Sequence, residues 1–527
     1  MKKHWERNAY YLTDGRIIPE PTDLSDPSNH SAEDAKPAPF KFNFMFRPPR
    51  DKRPRPVAEG HDEGMIEDLM ELAKKMSASP PVPDSSILSG YTYLGQFIAH
   101  EITFDQVSDP LNATLADYRS PSVDLDSLYG AEPNNRVDNP LYNQNDPDLL
   151  SIGTTLKTKQ LNYAFENDLP RKPTGEKRGE ALIGDERNDE NLPVAQTHVA
   201  FIKFHNQMVR FLRGKGVLAD AVFDQARAQV IKAFQSIIID DFLRQIIDPR
   251  VLAKIRKKRS GTFKVSENKE LFMPLEFSVA AFRFGHSLVR PSYEWNQYHS
   301  TEIVHAQAPI RELFDQTYFS GLIGRDSEHP PKKNPPKLTS DWVINWRHFF
   351  DFKDFPIYEL PHARNNANKI DTSFGFDLTK VPGFNHHGLS EDRRPLPARN
   401  LLRGFHLGLM SGEQVARELE LGEDELTPAE LQLPDGLAGQ TPLWYYILKE
   451  AELKGHGDRL GKVGSTIVAE TLVGLVDASQ YSILHDEAWD PPLGRINPET
   501  NKKEIRMVDM LHFADTVDPI GQHLKSI

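Results

Sequence analysis

Gln96 and His100 stand four apart in Tyr93-Leu94-Gly95-Gln96-Phe97-Ile98-Ala99-His100-Glu101. A helix turns both toward one side of an otherwise apolar stretch. An amide and an imidazole on one face offer a hydrogen-bond donor and a proton acceptor to whatever lies opposite, although such a pair also serves as ordinary core residues that find partners. A second segment, Ser120-Pro121-Ser122-Val123-Asp124-Leu125-Asp126, sets oxygen-bearing side chains at alternate positions. That alternation either turns oxygens toward one hard cation such as calcium or makes a solvated acidic turn. It is not an EF-hand, whose glycine and closing glutamate are missing from their places.

Three further segments carry polar groups. Gly184-Asp185-Glu186-Arg187-Asn188-Asp189-Glu190-Asn191 is a polar run before a helical pattern in which Val199, Ile202, Val209 and Leu212 keep one face. Alone it reads as a loop leading into a helix. In Ala281-Phe282-Arg283-Phe284-Gly285-His286-Ser287-Leu288, His286 lies in a strongly apolar helical pattern with Arg283 one turn earlier. An imidazole there is either a core histidine or an axial metal ligand. Arg399-Asn400-Leu401-Leu402-Arg403-Gly404 places an asparagine and an arginine three apart; by itself it reads as a helix end.

The elements that must hold these groups are helical. Ile231, Phe234, Ile238 and Phe242 step by three and four, as do Phe277, Ala281, Phe284 and Leu288, and each stripe needs an apolar partner. Ser411 with Gln414 and Thr427 with Glu430 have capping-box spacing, and Pro428 and Pro442 follow threonines at first helical positions. Period-two strand patterns are scarce. Residues 1 to about 60 hold nine of the 40 prolines, including Pro48, Pro49, Pro54 and Pro56, which predicts an extended arm. The expected organisation is an extended N-terminal arm over 1–85 and one helical domain over 86–527. Glu328 to Lys337, with four prolines, is expected to be an exposed loop.

Composition narrows the chemistry. The 527 residues contain no cysteine, so disulfides, thiolate metal sites and a cysteine nucleophile are excluded. A metal must be held by oxygen or by the 19 histidines. With 63 Lys+Arg against 76 Asp+Glu the formal charge is -13, which disfavours nucleic acid as a partner. The most apolar stretch, Ile467 to Val476, is broken by Glu470 and is far short of the ~20 residues that span a bilayer, so no integral membrane segment is expected. The basic N-terminus is followed by no apolar core of a secretory signal. A cytoplasmic location is the default expectation, with export possible only by a route lacking a classical signal.

In order and spacing, the five segments resemble the animal-type haem peroxidases of the peroxidase–cyclooxygenase superfamily, which includes myeloperoxidase and lactoperoxidase; a bacterial member is expected. The resemblance covers about residues 88 to 410. It implies a mainly α, large single-domain helical haem peroxidase fold with very little β-structure. It makes His100 the distal histidine with Gln96 beside it, Arg187 the distal arginine, His286 the proximal iron ligand and Asn400 the acceptor of its Nδ1–H. Arg283 and Arg403 match positions near the haem propionates. Glu101, Ser120, Ser122, Asp124 and Asp126 match calcium ligands, Ser122 through its carbonyl.

The activity so implied is reduction of hydrogen peroxide through a ferryl intermediate, with oxidation of a small organic donor or a (pseudo)halide and a role in the response to oxidative stress. The cofactors are haem b or a derivative, and calcium; a monomer is expected. The sequence departs from the family at one of two ester positions, where Ala99 cannot form the bond. Glu190 matches the other, and Asn191 has no sulfur for a sulfonium link. Haem is then held by one ester or none, and strong halide oxidation is put in doubt.

A cyclooxygenase- or dioxygenase-like fatty-acid oxygenase is the nearest alternative. Its radical tyrosine would fall at Arg283, although Tyr91 or Tyr93 could approach the haem. A non-enzymatic haem or calcium scaffold is a second alternative. A di-iron oxygenase is a third: Glu302-Ile303-Val304-His305 has the needed spacing, but Glu359-Leu360-Pro361-His362 contains a proline.

Overall fold

The computed structural model describes residues 40–46, 63–78, 84–104, 116–117, 120–130, 133–258, 266–267, 270–328, 331–359, 361–374, 395–498 and 501–526. Helix accounts for about 48% and strand for 8%, so the mainly α class holds. The principal early helices are α1 (Glu63–Ala78), α2 (Gly90–Ile102), the single turn α3 (Asp126–Tyr129), α4 (Leu192–Gly214) and α5 (Ala219–Ser236). Their apolar stripes meet in one large core that runs from Phe42 to Val517 in sequence and includes Phe97, Phe201 and Phe234. These three rings fix the crossing of α2, α4 and α5: Phe97 stacks on Phe201 at 4.9 Å, and both meet Phe234 edge-on.

Helix α4 begins where the polar run ends. Asn191 caps it by accepting from Val194 N–H, with a proline in the first turn, a start that leaves fewer orphan amides. Both capping boxes form, at Ser411/Gln414 and Thr427/Glu430. Pro442 sits one place earlier than expected, as the cap of helix Leu443–Lys454 rather than its first residue.

The structure corrects three expectations. Residues Glu63–Ala78, assigned to the extended arm, form α1, which buries Leu69, Leu72, Ala73 and Met76 in the common core. The amphipathic pattern of that helix outweighs the prolines that flank it. Within the stretch from Glu328 to Lys337, Pro331–Lys333 pairs antiparallel with Asp326–Glu328, so a short hairpin replaces part of the loop; prolines are tolerated on such an isolated edge. The stripe Phe277, Ala281, Phe284, Leu288 is buried as expected, but it is not one α-helix. A π-turn, Glu276–Ala280, passes at Ala280 (φ −125°, ψ −72°) into a 3-10 segment, Ala281–His286. Arg283 Nε donates to the Ser278 carbonyl at 3.1 Å and so pairs one carbonyl in this irregular run. Pro48, Pro49, Pro54 and Pro56 of the expected arm lie outside the described residues.

The arm's described end has a positioning role. Strand Phe40–Asn43 lies parallel to Glu270–Pro274 and antiparallel to Ala116–Asp117. Beyond the strand, Met45 and Phe46 N–H donate to the Glu276 carboxylate at 2.7 and 3.1 Å. The start of the irregular segment that carries His286 is thereby pinned to the N-terminal strand.

Candidate active site

A cavity of about 280 Å³ lies between α2 and the 277–289 segment. Thr92, Gly95, Gln96, Ala99 and Thr103 line it at helical intervals along α2, together with His100. Glu190 and Asn191, at the junction of the 3-10 turn Glu186–Asp189 with α4, close one side, and Ile310 and Phe314 another. The 277–289 segment contributes Phe277, Ser278, Phe282, Arg283, Gly285 and His286 among others. Of the residues singled out from sequence, Gln96, His100, Glu190, Arg283 and His286 therefore meet in one cavity, with Ala99 beside them.

On the α2 side, His100 Nδ1 is 2.9 Å from Asn188 Oδ1, and its Nε2 is 3.8 Å from the Glu190 carboxylate. Gln96 bridges the wall: its Nε2 donates to Glu190 at 3.0 Å and its Oε1 accepts from Asn191. Burial pushes the Glu190 carboxyl up to about 7, against the lowering charge of Arg187 and the Gln96 hydrogen bond. Arg187 itself is not among the residues lining the cavity. Its guanidinium forks onto the buried Asp185 and donates to the His100 carbonyl at 2.8 Å, while stacking over Phe104. The arginine expected to face peroxide instead ties the end of α2 to the 3-10 turn, because the adjacent carboxylate claims it bidentately.

On the other side, burial, and then the charges of Arg283 and Arg399, push His286 down to about 3, which keeps its imidazole neutral. Asn400, from helix Leu396–His406, reaches it as expected but with the amide reversed. Asn400 Nδ2 lies 3.1 Å from His286 Nδ1, and Oδ1 accepts from Arg283 Nη1 at 2.7 Å. The cationic donor takes the oxygen, so the amino group is left for the ring. Arg403, expected near propionates, does not line the cavity. The neighbouring Arg399 is a cation that acts on both His286 and Glu190. Burial holds Arg283 and Arg399 down to about 10, Arg399 also through the charge of Arg283. Buried guanidiniums of this kind call for anionic groups.

The proposed calcium ligands Glu101, Ser120, Ser122, Asp124 and Asp126 are all buried. Glu101 spends its oxygens on backbone, accepting from Asp126 and Ser127 N–H at 3.1 Å each, so it caps α3. Ser120 Oγ accepts from Ser122 N–H. Among the described residues no group of three or more His, Asp or Glu side chains is gathered to hold a metal, and no helix is long and apolar enough to cross a membrane.

Sequence reasoning missed Asn188, His198 and Arg399. Asn188 Nδ2 is 3.0 Å from His198 Nδ1. His198 shares a face of α4 with Val194, Phe201 and His205, at helical spacing, and that periodicity was the available signal.

Residues 112–328 match the animal haem peroxidase family. The match includes Arg187, Glu190 and His286; the α2 segment and Asn400 lie outside it, and the fold brings α2 to the cavity that Glu190 and His286 line and sets Asn400 against His286. The chain is similar to chorion peroxidase of Drosophila melanogaster, 25% identical over 347 residues, which is 62% of this chain and 37% of that protein. It spans well under half the length of each curated relative it matches. In structure it is similar to peroxidase A of Dictyostelium discoideum, with TM-score 0.50, 15% identity and 93% of each chain covered. It is also similar to fatty acid alpha-dioxygenase of Oryza sativa, with TM-score 0.51, 12% identity, and 89% and 80% covered. Both likenesses are likenesses of fold. Peroxidase and dioxygenase share that fold, so activity must be argued from the site.

Proposed function

We propose that this chain is a haem peroxidase that reduces hydrogen peroxide and oxidises a small organic donor or a (pseudo)halide. The observation that carries the reading is the meeting, in one cavity, of a neutral imidazole with an asparagine on its Nδ1 (His286, Asn400) and a second imidazole bordered by amide and carboxyl groups (His100, Gln96, Glu190). The lining fits haem: a neutral ring for iron, aromatic and aliphatic walls, open space beside Gly285, and a desolvated Arg283 for its carboxylates, with the charge of Arg399 acting from behind the wall. When bound, haem supplies the two oxidising equivalents taken from peroxide. His286 Nε2 would hold the iron, which requires the Asn400 amide to present Oδ1 to Nδ1–H. His100 Nε2 takes a proton from hydrogen peroxide and returns it to the departing oxygen, so that water leaves. Arg187 holds the His100 carbonyl and with it the end of α2.

Glu190 is the residue for a single ester to haem, since its carboxyl borders the cavity and Ala99 can form none. Calcium is proposed at Asp124 and Asp126 with oxygens of Ser120 and Ser122; the support is the burial of two carboxylates in one turn, which is costly unless a cation or several donors meet them. Glu101 then acts through its cap on α3. A monomeric, cytoplasmic protein whose helical domain takes in α1 (Glu63–Ala78) as well as the residues from 86 onward completes the proposal.

The test is the absorption spectrum of purified protein supplied with haem, before and after one equivalent of hydrogen peroxide. A Soret band that shifts with peroxide is expected. His100→Ala should keep the haem and slow the peroxide reaction by about 10²–10⁴-fold; undiminished turnover in that variant would sink the acid–base assignment. Haem that resists acid–solvent extraction in the parent but not in Glu190→Gln supports the ester. Absence of haem uptake would leave the non-enzymatic scaffold. Oxygen consumption with a long-chain fatty acid would favour the oxygenase, for which Tyr91 and Tyr93 line the cavity with hydroxyls donated to Asp241 and Tyr293.

A further inference from the structure

Behind the His100 ring lies a chain of three groups. Asn188 is fully buried, His198 is 1% exposed and His100 8%. Asn188 Oδ1 meets His100 Nδ1 at 2.9 Å, and Asn188 Nδ2 meets His198 Nδ1 at 3.0 Å. An amide has one accepting and one donating end. Two imidazoles on its two ends must therefore be in opposite states, one giving a proton to the oxygen and the other receiving one from the nitrogen. If the amide turned over, both rings would exchange tautomers with it. In the arrangement present, His198 receives, which requires it to be neutral with its proton on Nε2. Burial keeps it so, pushing it down to about 3. The ring is further held edge-on by Phe97.

We propose that Asn188, anchored on His198, is a positioning residue that keeps the His100 proton on Nδ1 and so leaves Nε2 as the lone-pair nitrogen on the cavity side. The proposal rests on reading His100 as the proton-transfer group. A base needs that lone pair; the other tautomer would present an N–H to the cavity and could not accept the peroxide proton. The tautomer is thus set two residues away from the chemistry, on α4, by a histidine that does not line the cavity.

The tautomer can be read directly, without haem, by long-range proton–nitrogen NMR on protein labelled at histidine, with the His100 signals identified by their loss in His100→Gln. Wild type should show the proton on Nδ1. In Asn188→Leu the proton should move to Nε2 or divide between the two nitrogens. Asn188→Asp, which still accepts at the His100 end, should restore Nδ1–H, and His198→Phe should show a mixture. In haem-supplied protein the peroxide reaction should slow at least tenfold in Asn188→Leu and recover in Asn188→Asp. A wild-type proton on Nε2 overturns the proposal even if every variant misfolds. So does Asn188→Leu with unchanged tautomer and unchanged rate, whatever its loss of stability. Failure of haem to bind would refute the peroxidase reading and leave the tautomer result standing by itself.

Discussion

The Asn400 amide faces two neighbours that both want its oxygen. Arg283 holds Oδ1 at 2.7 Å and His286 Nδ1 is left with Nδ2 at 3.1 Å. This arrangement puts the imidazole proton on Nε2, whereas ligation through Nε2 needs the opposite. Rotation of the amide requires Arg283 to release the oxygen, and a haem carboxylate is a stronger partner for a buried guanidinium than an amide is. Asn400→Leu removes the group altogether and should weaken haem binding by about 10–100-fold, the usual cost of losing an outer-shell partner. Asn400→Asp accepts from both neighbours without rotation and should retain it. Haem titration followed at the Soret band measures both, and equal affinity in all three proteins would show that Asn400 does not support His286.

Helix α2 carries one wall of the cavity, so its placement matters more than its length. It begins at Gly90, packed where a Cβ would fall 2.6 Å from the Phe349 carbonyl and against the Phe350 ring. Gly90→Ala should destabilise the protein by roughly 1–3 kcal/mol, as overpacking does, and should slow the peroxide reaction by shifting His100; thermal unfolding and stopped-flow absorption read the two effects. This scale also shows what could be learned from sequence. Gln96 and His100 were legible because a four-residue step on an apolar helix leaves polar groups nowhere else to point. Asn188 was not, because Asp185, Glu186, Arg187, Asn188 and Asp189 look alike as a solvated loop, yet Asp185, Asn188 and Asp189 are at most 1% exposed. Burial there comes from Arg171, which pairs bidentately with Asp189 from 18 residues upstream; no local pattern reports such a contact. The His286 segment was legible as a buried stripe but not as a π-turn followed by 3-10, since phenylalanines at three- and four-residue intervals suit an α-helix equally well. The start of this run is tied to the distant strand Phe40–Asn43 and through Glu276 to Met45 and Phe46, contacts that no local pattern reports. Haem itself was read from five motifs together.

Across the whole molecule, buried carboxyls and imidazoles set opposing dependences on pH. Burial pushes Glu190, Glu276 and Glu450 up to about 7, and His198 and His286 down to about 3. A carboxyl raised in the folded state binds its proton more tightly there than when unfolded, so its contribution is intact below about 4.5 and is lost as pH rises toward 7. A lowered histidine acts the other way, its contribution being lost as pH falls below about 6.5 toward 3. Glu450 accepts Val463 and Gly464 N–H at the start of helix Lys462–Ala478. Glu450→Gln keeps an acceptor there without the ionisation, so relative to wild type it should gain on the order of 1–3 kcal/mol between pH 4.5 and 7. Urea unfolding at a series of pH values reads the difference, and parallel curves would refute it. The strand Phe40–Asn43 bears on manufacture of the protein as well as on its geometry. On the ribosome, His198 emerges 88 residues before His286 (286 less 198), on the order of ten seconds earlier at ordinary elongation rates. The α2 wall with its imidazole is finished first, while the N-terminal strand waits for its parallel neighbour at 270–274 and His286 waits for Asn400. A haem held by His286 as proposed would therefore enter late, only once about three-quarters of the chain has been translated (400 of 527 residues).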